Sequence, residues 1–342
     1  MPRPPEARTA VLAGLGGHLP PRRVTNDELA ERFDTSDEWI TTRTGIRARH
    51  WADRGTSTGD LAVEAGLRAL KSAGLDAAPS AVDLVVLATT TPDHPCPATA
   101  PDVAARLGLG PVAAFDIAAV CSGFVYALSV ARAHIASGQA ERVLVIGAET
   151  YSTVLDPDDR ATSVIFGDGA GAVVLTAGRA GDEGAVLGVR LGSDGTGRDL
   201  ITIPGGGSRR RADGTRPAPR DAYFTMQGKK VFAAAVTRMH DSVRAVLDDV
   251  GWDTRQIDHL VGHQANIRII HALARRLRVP RERAVLNIDR VGNTSAASIP
   301  LALADAAAQG RFAPGDRVLL TAFGGGLTWG SAALTWPDIE PV

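Results

Sequence analysis

Short continuous apolar runs recur along the chain, each followed by a longer stretch whose apolar positions fall three and four apart. The first pattern belongs to strands buried on both faces, the second to helices with one buried face. Arg8 to Pro20 predicts a strand running into a turn. TNDELAERFD predicts a short helix capped by Thr25 or Asn26, with Glu28 in its first turn. Ser36 to Arg43, if helical, puts Trp39 and Arg43 at i and i+4 on one face. TGDLAVEAGLRALKSAGLD predicts an amphipathic helix with Leu61, Ala65, Leu67 and Leu70 on its apolar face and Gly74 as its stop. AVDLVVLATTT and RVLVIGAE read as buried strands, and DHPCPATAPDVAARLGL as a Pro-rich turn and a helix. Between them an apolar run, Ala113 to Val120, ends at Cys121, where a helix is expected to start. Ser163 to Ala177 contains Gly167, Gly169 and Gly171. A dinucleotide loop needs a strand before it and a helix after it. Strand-like AVVLTA follows here, so a tight turn between two strands is expected instead. Pro204 to Asp221 is aperiodic and rich in Gly, Pro and Arg, and predicts a surface loop at the join between two halves. A long helix stopped at Gly251, the strand and turn QIDHLVGHQAN, the helix IRIIHALARRL and the strand AVLNID come next. The helix TSAASIPLALADAAAQG, the strand DRVLLTAFGGG and SAALTW close the chain.

This order of elements occurs twice. VDLVVL matches IDHLVGH, AARLGL matches ARRLRV, and ERVLVIGAE matches DRVLLTAFG. CSGFVYALSVARAHIASG matches NTSAASIPLALADAAAQG without a gap, which puts Cys121 and Asn293 at equivalent helix starts. The repeat predicts two layered α/β halves, residues 1–180 and 181–342, packed so that both helix starts meet at one central site.

A length of 342 residues also exceeds what most single cores hold. The net charge of -1 argues against bulk binding of nucleic acid but leaves room for a local basic patch facing an acidic partner. Cys96 and Cys121 are too few for a disulfide framework and form no CxxC pair, so reduced thiols in a cytoplasm are expected. MPRPPEARTA has no apolar core of a secretory signal, and no apolar run reaches the roughly 18 residues needed to span a bilayer. A soluble cytoplasmic protein that binds no membrane is expected.

A thiol at a helix N-terminus meets unpaired N–H groups and a partial positive charge, so Cys121 is expected to have a lowered pKa and to act as a nucleophile. His263, in a turn after a strand, and Asn293, between Gly292 and Thr294, are its candidate partners. Alone, each has an ordinary structural reading, as a core histidine and a helix cap. Cys, His and Asn by composition suggest a papain-like hydrolase. If the helix start already activates the thiol, His263 and Asn293 are free to donate hydrogen bonds to a thioester oxygen and stabilise an enolate, as carbon–carbon bond formation requires. The triplet Gly324, Gly325 and Gly326 is either a tight turn or, through one N–H together with that of Cys121, an oxyanion hole.

SDEWITTRTGI, FDIAAVCSGF, DDRATSVIFGDGAGAVVL, HQANIRII, GNTSAASIP and AFGGGLTWGSA, in this order, resemble the β-ketoacyl-acyl-carrier-protein synthases III of the thiolase superfamily, over roughly Val11 to Trp336. The resemblance implies a duplicated five-layer α/β/α/β/α thiolase-like fold working as a homodimer. It implies acyl transfer from acyl-CoA to Cys121, then decarboxylative condensation with malonyl-acyl-carrier protein aided by His263 and Asn293, with no metal or redox cofactor. It further implies an oxyanion hole from Cys121 and Gly325, and CoA contacts from Trp39, Arg43, Arg160 and Asn266. Arg268, Arg275 and Arg276 match a surface that meets the acidic carrier protein. They lie at i, i+7 and i+8 on one helical face, and Lys229 and Lys230 are candidates to extend that surface. Cys96 and Phe323 fall at acyl-pocket positions.

Some positions depart from the pattern. Gly262 stands where proline is common, which is expected to loosen the turn before His263 slightly, and Ser122 where alanine is, a change expected to be harmless. Cys96 stands where a bulky aromatic often reaches across the dimer, which implies primers larger than acetyl. Three other outcomes stay open on these residues. They are a starter-unit ketosynthase or ester-forming acyltransferase of secondary metabolism, a cysteine-dependent thioester hydrolase, and a non-catalytic carrier-protein-binding module.

Overall fold

The computed structural model describes residues 8–214 and 218–342; residues 1–7, and residues 215–217 of the Arg-rich stretch, lie outside the described residues. The first half contains β1 (Arg8–His18), β2 (Arg23–Thr25), α1 (Asn26–Ala30), α2 (Asp37–Thr44), β3 (Ala48–His50) and α3 (Thr58–Ser72). It continues with β4 (Leu84–Ala88), α4 (Ala100–Arg106), β5 (Ala113–Ile117), α5 (Gly123–Ala136), β6 (Arg142–Glu149), the single turn α6 (Arg160–Ser163) and β7 (Gly169–Arg179). The second half has β8 (Val186–Ser193), β9 (Ile201–Thr202), α7 (Ser208–Ala212), β10 (Thr225–Met226), α8 (Gly228–Val250) and β11 (His259–Gly262). It ends with α9 (Ile267–Leu277), α10 (Ile288–Val291), α11 (Ser298–Ala308), β12 (Arg317–Gly324) and β13 (Thr328–Thr335).

The ends of these helices follow from local chemistry. Ser57 and Asp60 close a reciprocal capping box on α3. The Ser36 hydroxyl accepts the Trp39 N–H at the start of α2, and Gly45 ends that helix at φ 82°, a conformation that favours glycine. Thr25, not Asn26, caps α1.

Two sheets repeat one topology. The first runs β1-β7-β6-β4-β5 and the second β8-β13-β12-β11. Corresponding neighbours match in sense: β1–β7 and β8–β13 are antiparallel, as are β6–β7 and β12–β13, while β4–β6 and β11–β12 are parallel. α5 and α11 lie between the sheets and touch both. α3 and α4 cover the outer face of the first sheet, and α8 covers that of the second, with α9 against it. The result is the five-layer α/β/α/β/α thiolase-like arrangement, with one apolar core between the sheets and one under each outer layer.

The close layers explain the glycines of the rejected nucleotide loop. A Cβ on Gly171 would sit 2.7 Å from that of Pro300, so glycine lets β7 approach α11. The expected turn between two strands is half right: β7 follows, but α6 and an irregular segment precede it. AVLNID is not a strand. Only Ala284 bridges Leu260, in parallel, before the chain turns into α10, which leaves the second sheet without a full counterpart of β5. Leu67 is 39 % exposed, because it lies six residues after Leu61 and points away from the sheet. The Arg-rich stretch is not the join. β8, already part of the second sheet, precedes it, and it carries α7 and a short 3-10 turn, Pro219–Ala222.

The helix-start equivalence also shifts. Val120 and Ser295 both have positive φ, 47° and 48°, and each opens a 3-10 turn leading into α5 or α11. By backbone conformation Cys121 therefore corresponds to Ala296. Asn293 lies three residues earlier, because α11 begins later in its repeat than α5 does.

Candidate active site

Val120 carries the local strain that presents Cys121. A β-branched residue in the left-handed region is a genuine outlier, held only where its surroundings over-determine it. Those surroundings are the loop between β12 and β13. A Cβ on Gly324 would lie 2.7 Å from the Cys121 nitrogen, so only glycine lets the two backbones meet. Ser122 fastens the turn: its hydroxyl lies 2.7 Å from the Thr328 hydroxyl and 2.8 Å from the Ala119 carbonyl. The serine found where alanine is common thus ties the cysteine turn to the glycine loop.

Cys121, His263 and Asn293 line one narrow chamber of about 40 Å³, walled by Phe166, Phe224, Met226, Met239 and Phe323. Phe166 stacks on Tyr151 with ring centroids 4.6 Å apart, and Phe224 packs edge-on against both rings. The duplicated halves supply the parts: the thiol comes from the start of α5, the imidazole from the end of β11, and the amide from the loop before α11. His263 is buried; its Nδ1 lies 2.7 Å from the Ser298 Oγ, which leaves Nε2 for the chamber. The Ser295 N–H donates to Asn293 Oδ1 at 2.9 Å, so the Nδ2 of that amide remains for a ligand. Gly262 does not loosen the turn. The His263 N–H donates to the Thr321 carbonyl, and the Gln264 side chain donates to the carbonyls of Gly262 and Val285.

Glu149, at the end of β6, lies beneath the site and is fully buried. Its carboxylate accepts from the Thr90 and Ala296 N–H groups and from the hydroxyls of Thr89, Thr91 and Ser295. Sequence reasoning missed Glu149, Ser295 and Ser298. Both serines lie in or beside the GNTSAASIP motif that marked Asn293, and Glu149 ends a strand that had been recognised.

Burial sets the charges here. It pushes the Cys121 thiol up to about 12, opposed by the hydrogen-bond contact with Ser295; the Glu149 charge adds to the rise. Burial alone holds His263 down to about 3, so the imidazole is neutral, and it raises Glu149 to about 7. The expected activation of the thiol by the helix start is therefore outweighed. A helix terminus supplies about 0.3–1 kcal/mol, or about 2 in favourable sites. A rise from 9.0 to about 12 represents about 4 kcal/mol. In the free protein, alkylation of Cys121 by iodoacetamide should therefore climb about tenfold per pH unit from neutrality to about pH 10. A rate that levels off by about pH 8 would show a thiolate that burial does not suppress.

A wider cleft of about 450 Å³ leads to the chamber and shares Met226, Val231, Ala265, Ile269 and Asn293 with it. Arg43, Lys229, Asn266 and Arg268 line this cleft. Trp39 lies beside it, with the Arg43 and Arg160 guanidinium carbons 4.7 and 4.9 Å from its ring centroid. Asn266 caps α9 by accepting the Arg268 N–H and donates through Nδ2 to the Arg43 carbonyl at 3.0 Å, which joins α9 to α2. The structure thus gathers Trp39, Arg43, Arg160 and Asn266 at one entrance. Arg268, Arg275 and Arg276 are exposed along α9, but Arg276 faces a separate polar hollow with Arg244, Arg255 and Arg278. Gly325 follows the Gly324 contact and packs against Ile201. Phe323 is in the chamber wall, whereas Cys96 is exposed and its own chain does not bring it there. No helix among the described residues is long and apolar enough to cross a membrane.

Comparison with known proteins bears on the family and the fold. The family model of 3-oxoacyl-[acyl-carrier-protein] synthase III matches residues 115–195, and that of its C-terminal part matches residues 247–336. A β-ketoacyl-[acyl-carrier-protein] synthase III of Streptomyces coelicolor is 68% identical over 96% of this chain and 98% of its own length. The crystal structure of 3-oxoacyl-(acyl carrier protein) synthase III from Pseudomonas aeruginosa superposes with a TM-score of 0.90 at 53% identity, covering 97% of this chain and 100% of that one. The priming β-ketosynthase of the R1128 polyketide pathway gives a TM-score of 0.89 at 36% identity, covering 99% of each chain. By sequence over nearly its whole length and by fold, the chain belongs to the β-ketoacyl-[acyl-carrier-protein] synthase III family of acyl-transferring condensing enzymes.

Proposed function

We propose that the protein transfers an acyl group from acyl-CoA to Cys121 and condenses it with malonyl-acyl-carrier protein to give a β-ketoacyl-carrier protein. The observation that carries this reading is the pairing of two neutral donors. His263 and Asn293 share the chamber of Cys121 with Nδ1 and Oδ1 already occupied, which leaves His263 Nε2 and Asn293 Nδ2 on the chamber side.

In the first step the Cys121 sulfur attacks the acyl-CoA carbonyl carbon. The N–H groups of Cys121 and Gly325 hold the oxyanion. The thiol proton passes to the Ser295 hydroxyl as that hydroxyl hands its own to Glu149, 3.0 Å away. The carbon–sulfur bond to CoA breaks, and the departing sulfur takes up the proton. Malonyl-carrier protein then enters, and its carboxylate leaves as CO₂. The electron pair left behind spreads onto the thioester oxygen, held by His263 and Asn293. The carbanion attacks the acyl carbon and expels the Cys121 sulfur, which is reprotonated. This balance requires the thioester substrates, the groups named and one proton from solvent per turnover, which replaces the proton carried off by the departing CoA sulfur, in a ping-pong order.

The hydrolase alternative needs His263 as a base towards thiol or water. An imidazole held down to about 3 is a poor one at neutral pH. Initiation of fatty acid synthesis and priming of a polyketide are both served by this chemistry. The test is to supply a panel of acyl-CoAs with malonyl-carrier protein. Malonyl-dependent CO₂ and β-ketoacyl product support the reading; free acid formed equally without malonyl-carrier protein overturns it.

Trp39, Arg43, Arg160 and Asn266 are read as the CoA contacts, an adenine ring lying against the indole and guanidinium faces. Trp39→Ala should raise KM for acyl-CoA about five- to thirtyfold with kcat within about twofold, from the loss of about 1–2 kcal/mol. An unchanged KM would remove Trp39 from the site. Arg268, Arg275 and Arg276 are read as the carrier-protein surface.

The working unit is read as a homodimer. β5 is a half-exposed sheet edge carrying Phe115 and Ile117, and open edges are templates for pairing. Asp116 on β5 accepts the N–H groups of Thr99 and Ala100, anchoring the loop of Cys96 beside that edge. A second copy docked there would meet Cys96, whose small side chain fits acyl primers larger than acetyl. Sedimentation at micromolar concentration tests the dimer, and the acyl-CoA panel tests the primer size.

A further inference from the structure

The hydrogen on the His263 ring can be placed from the bonds around Ser298. Ser298, the first residue of α11, is fully buried. Its Oγ accepts the Gln264 N–H at 3.1 Å and lies 2.7 Å from His263 Nδ1. A serine hydroxyl has one hydrogen to give. Among the described residues, His263 Nδ1 is the one acceptor within reach of that hydrogen. Were Nδ1 protonated instead, Ser298 Oγ would accept twice and its own hydrogen would be buried without a partner, a loss that proteins avoid. The backbone around His263 cannot turn to escape this choice. Its N–H is held by Thr321, and Gln264 is bonded on both sides, its Oε1 accepting the Asn287 N–H.

We infer that Ser298 is a positioning residue: by donating to His263 Nδ1 it fixes the tautomer that carries its hydrogen on Nε2 and presents that N–H to the substrate's thioester oxygen. This rests on the condensation reading above and deepens it. The opposite tautomer would aim a lone pair at the oxygen where negative charge develops, which repels rather than stabilises it. Ser298 touches no substrate and acts through the ring alone. Its pairing also separates two tasks in one chamber: His263 is a donor for the malonyl step, and the thiol proton of the acylation step goes to Ser295 and Glu149.

The test combines nitrogen-15 NMR of histidine-labelled protein with separate assays of the two half-reactions, using intact wild-type protein, Ser298→Ala and Ser298→Thr. The wild-type His263 signals should show Nδ1 bare and Nε2 protonated at neutral pH. Ser298→Ala should mix the tautomers and slow malonyl-carrier-protein decarboxylation about ten- to hundredfold, less than loss of a donor outright. Cys121 acylation should stay within about twofold. Ser298→Thr, which keeps the hydroxyl, should restore most of the decarboxylation rate. Protonated Nδ1 in the wild type, or an undiminished rate in Ser298→Ala, overturns the inference. Should Ser298→Ala not fold, the wild-type spectrum still decides. Should the wild type decarboxylate nothing, the condensation reading fails, while the spectrum tests Ser298 separately.

Discussion

Cys121→Ala is expected to abolish the covalent acyl adduct formed from acyl-CoA and to lower condensation by about a thousandfold or more, with the fold intact. The size follows from the role, since removing a nucleophile ends a double-displacement pathway rather than weakening it. The substitution removes a single sulfur atom, so stability should change by about 1 kcal/mol. Intact-protein mass spectrometry after incubation with acyl-CoA reads the adduct. Malonyl-carrier-protein decarboxylation provides the internal control. It needs His263 and Asn293 but not the sulfur, and it should persist in this variant. Loss of decarboxylation together with the adduct would mean that the substitution had collapsed the chamber. An undiminished adduct would place the nucleophile elsewhere, with the exposed Cys96 as the remaining thiol.

His263→Ala and Asn293→Ala should give the mirror image. Each removes one N–H donor aimed at a developing oxyanion in a site closed to water, a change worth about 10²–10³ in rate. The loss should fall on decarboxylation and condensation, while the acyl adduct on Cys121 still forms. The double variant should lose less than the product of the two single losses, because both donors act on one oxygen. If either single variant also stopped adduct formation, that side chain would be serving the thiol, and the division of labour drawn here would be wrong. His263→Ala is the sharper case, because a papain-like histidine would be needed for acylation.

The layered fold was readable because two kinds of information agreed. Apolar runs such as LVVLA and RVLVIGAE have the length of strands buried on both faces, and the same order of elements appears twice. Where the readings failed, a contact distant in sequence decided. AVLNID looks like any short apolar strand, but Asn287 and Gln264 bond there and the chain turns after a single bridge. Cys121 and Asn293 align without a gap, yet the strained residues Val120 and Ser295 show the true helix starts to be offset. The thiol's protonation was misjudged for the same kind of reason. A helix start is visible in sequence, whereas the layers that bury Cys121 come from both halves. The candidate trio was legible because each member follows an apolar strand or opens a helix beside glycine. Glu149, Ser295 and Ser298 carry no such local mark; they matter through bonds to one another and to the trio.

The account turns on one claim: a single sulfur holds the acyl group that a carbanion made in the same chamber then removes. A single-turnover chase tests it most directly. Protein is first loaded with acyl-CoA, freed of excess, and its acyl mass recorded on a Cys121 peptide; malonyl-carrier protein is then added. The account predicts that the acyl mass leaves Cys121 as one equivalent each of CO₂ and β-ketoacyl-carrier protein appears. An adduct that persists while product forms, or that leaves as free acid with no β-ketoacyl product, would contradict it.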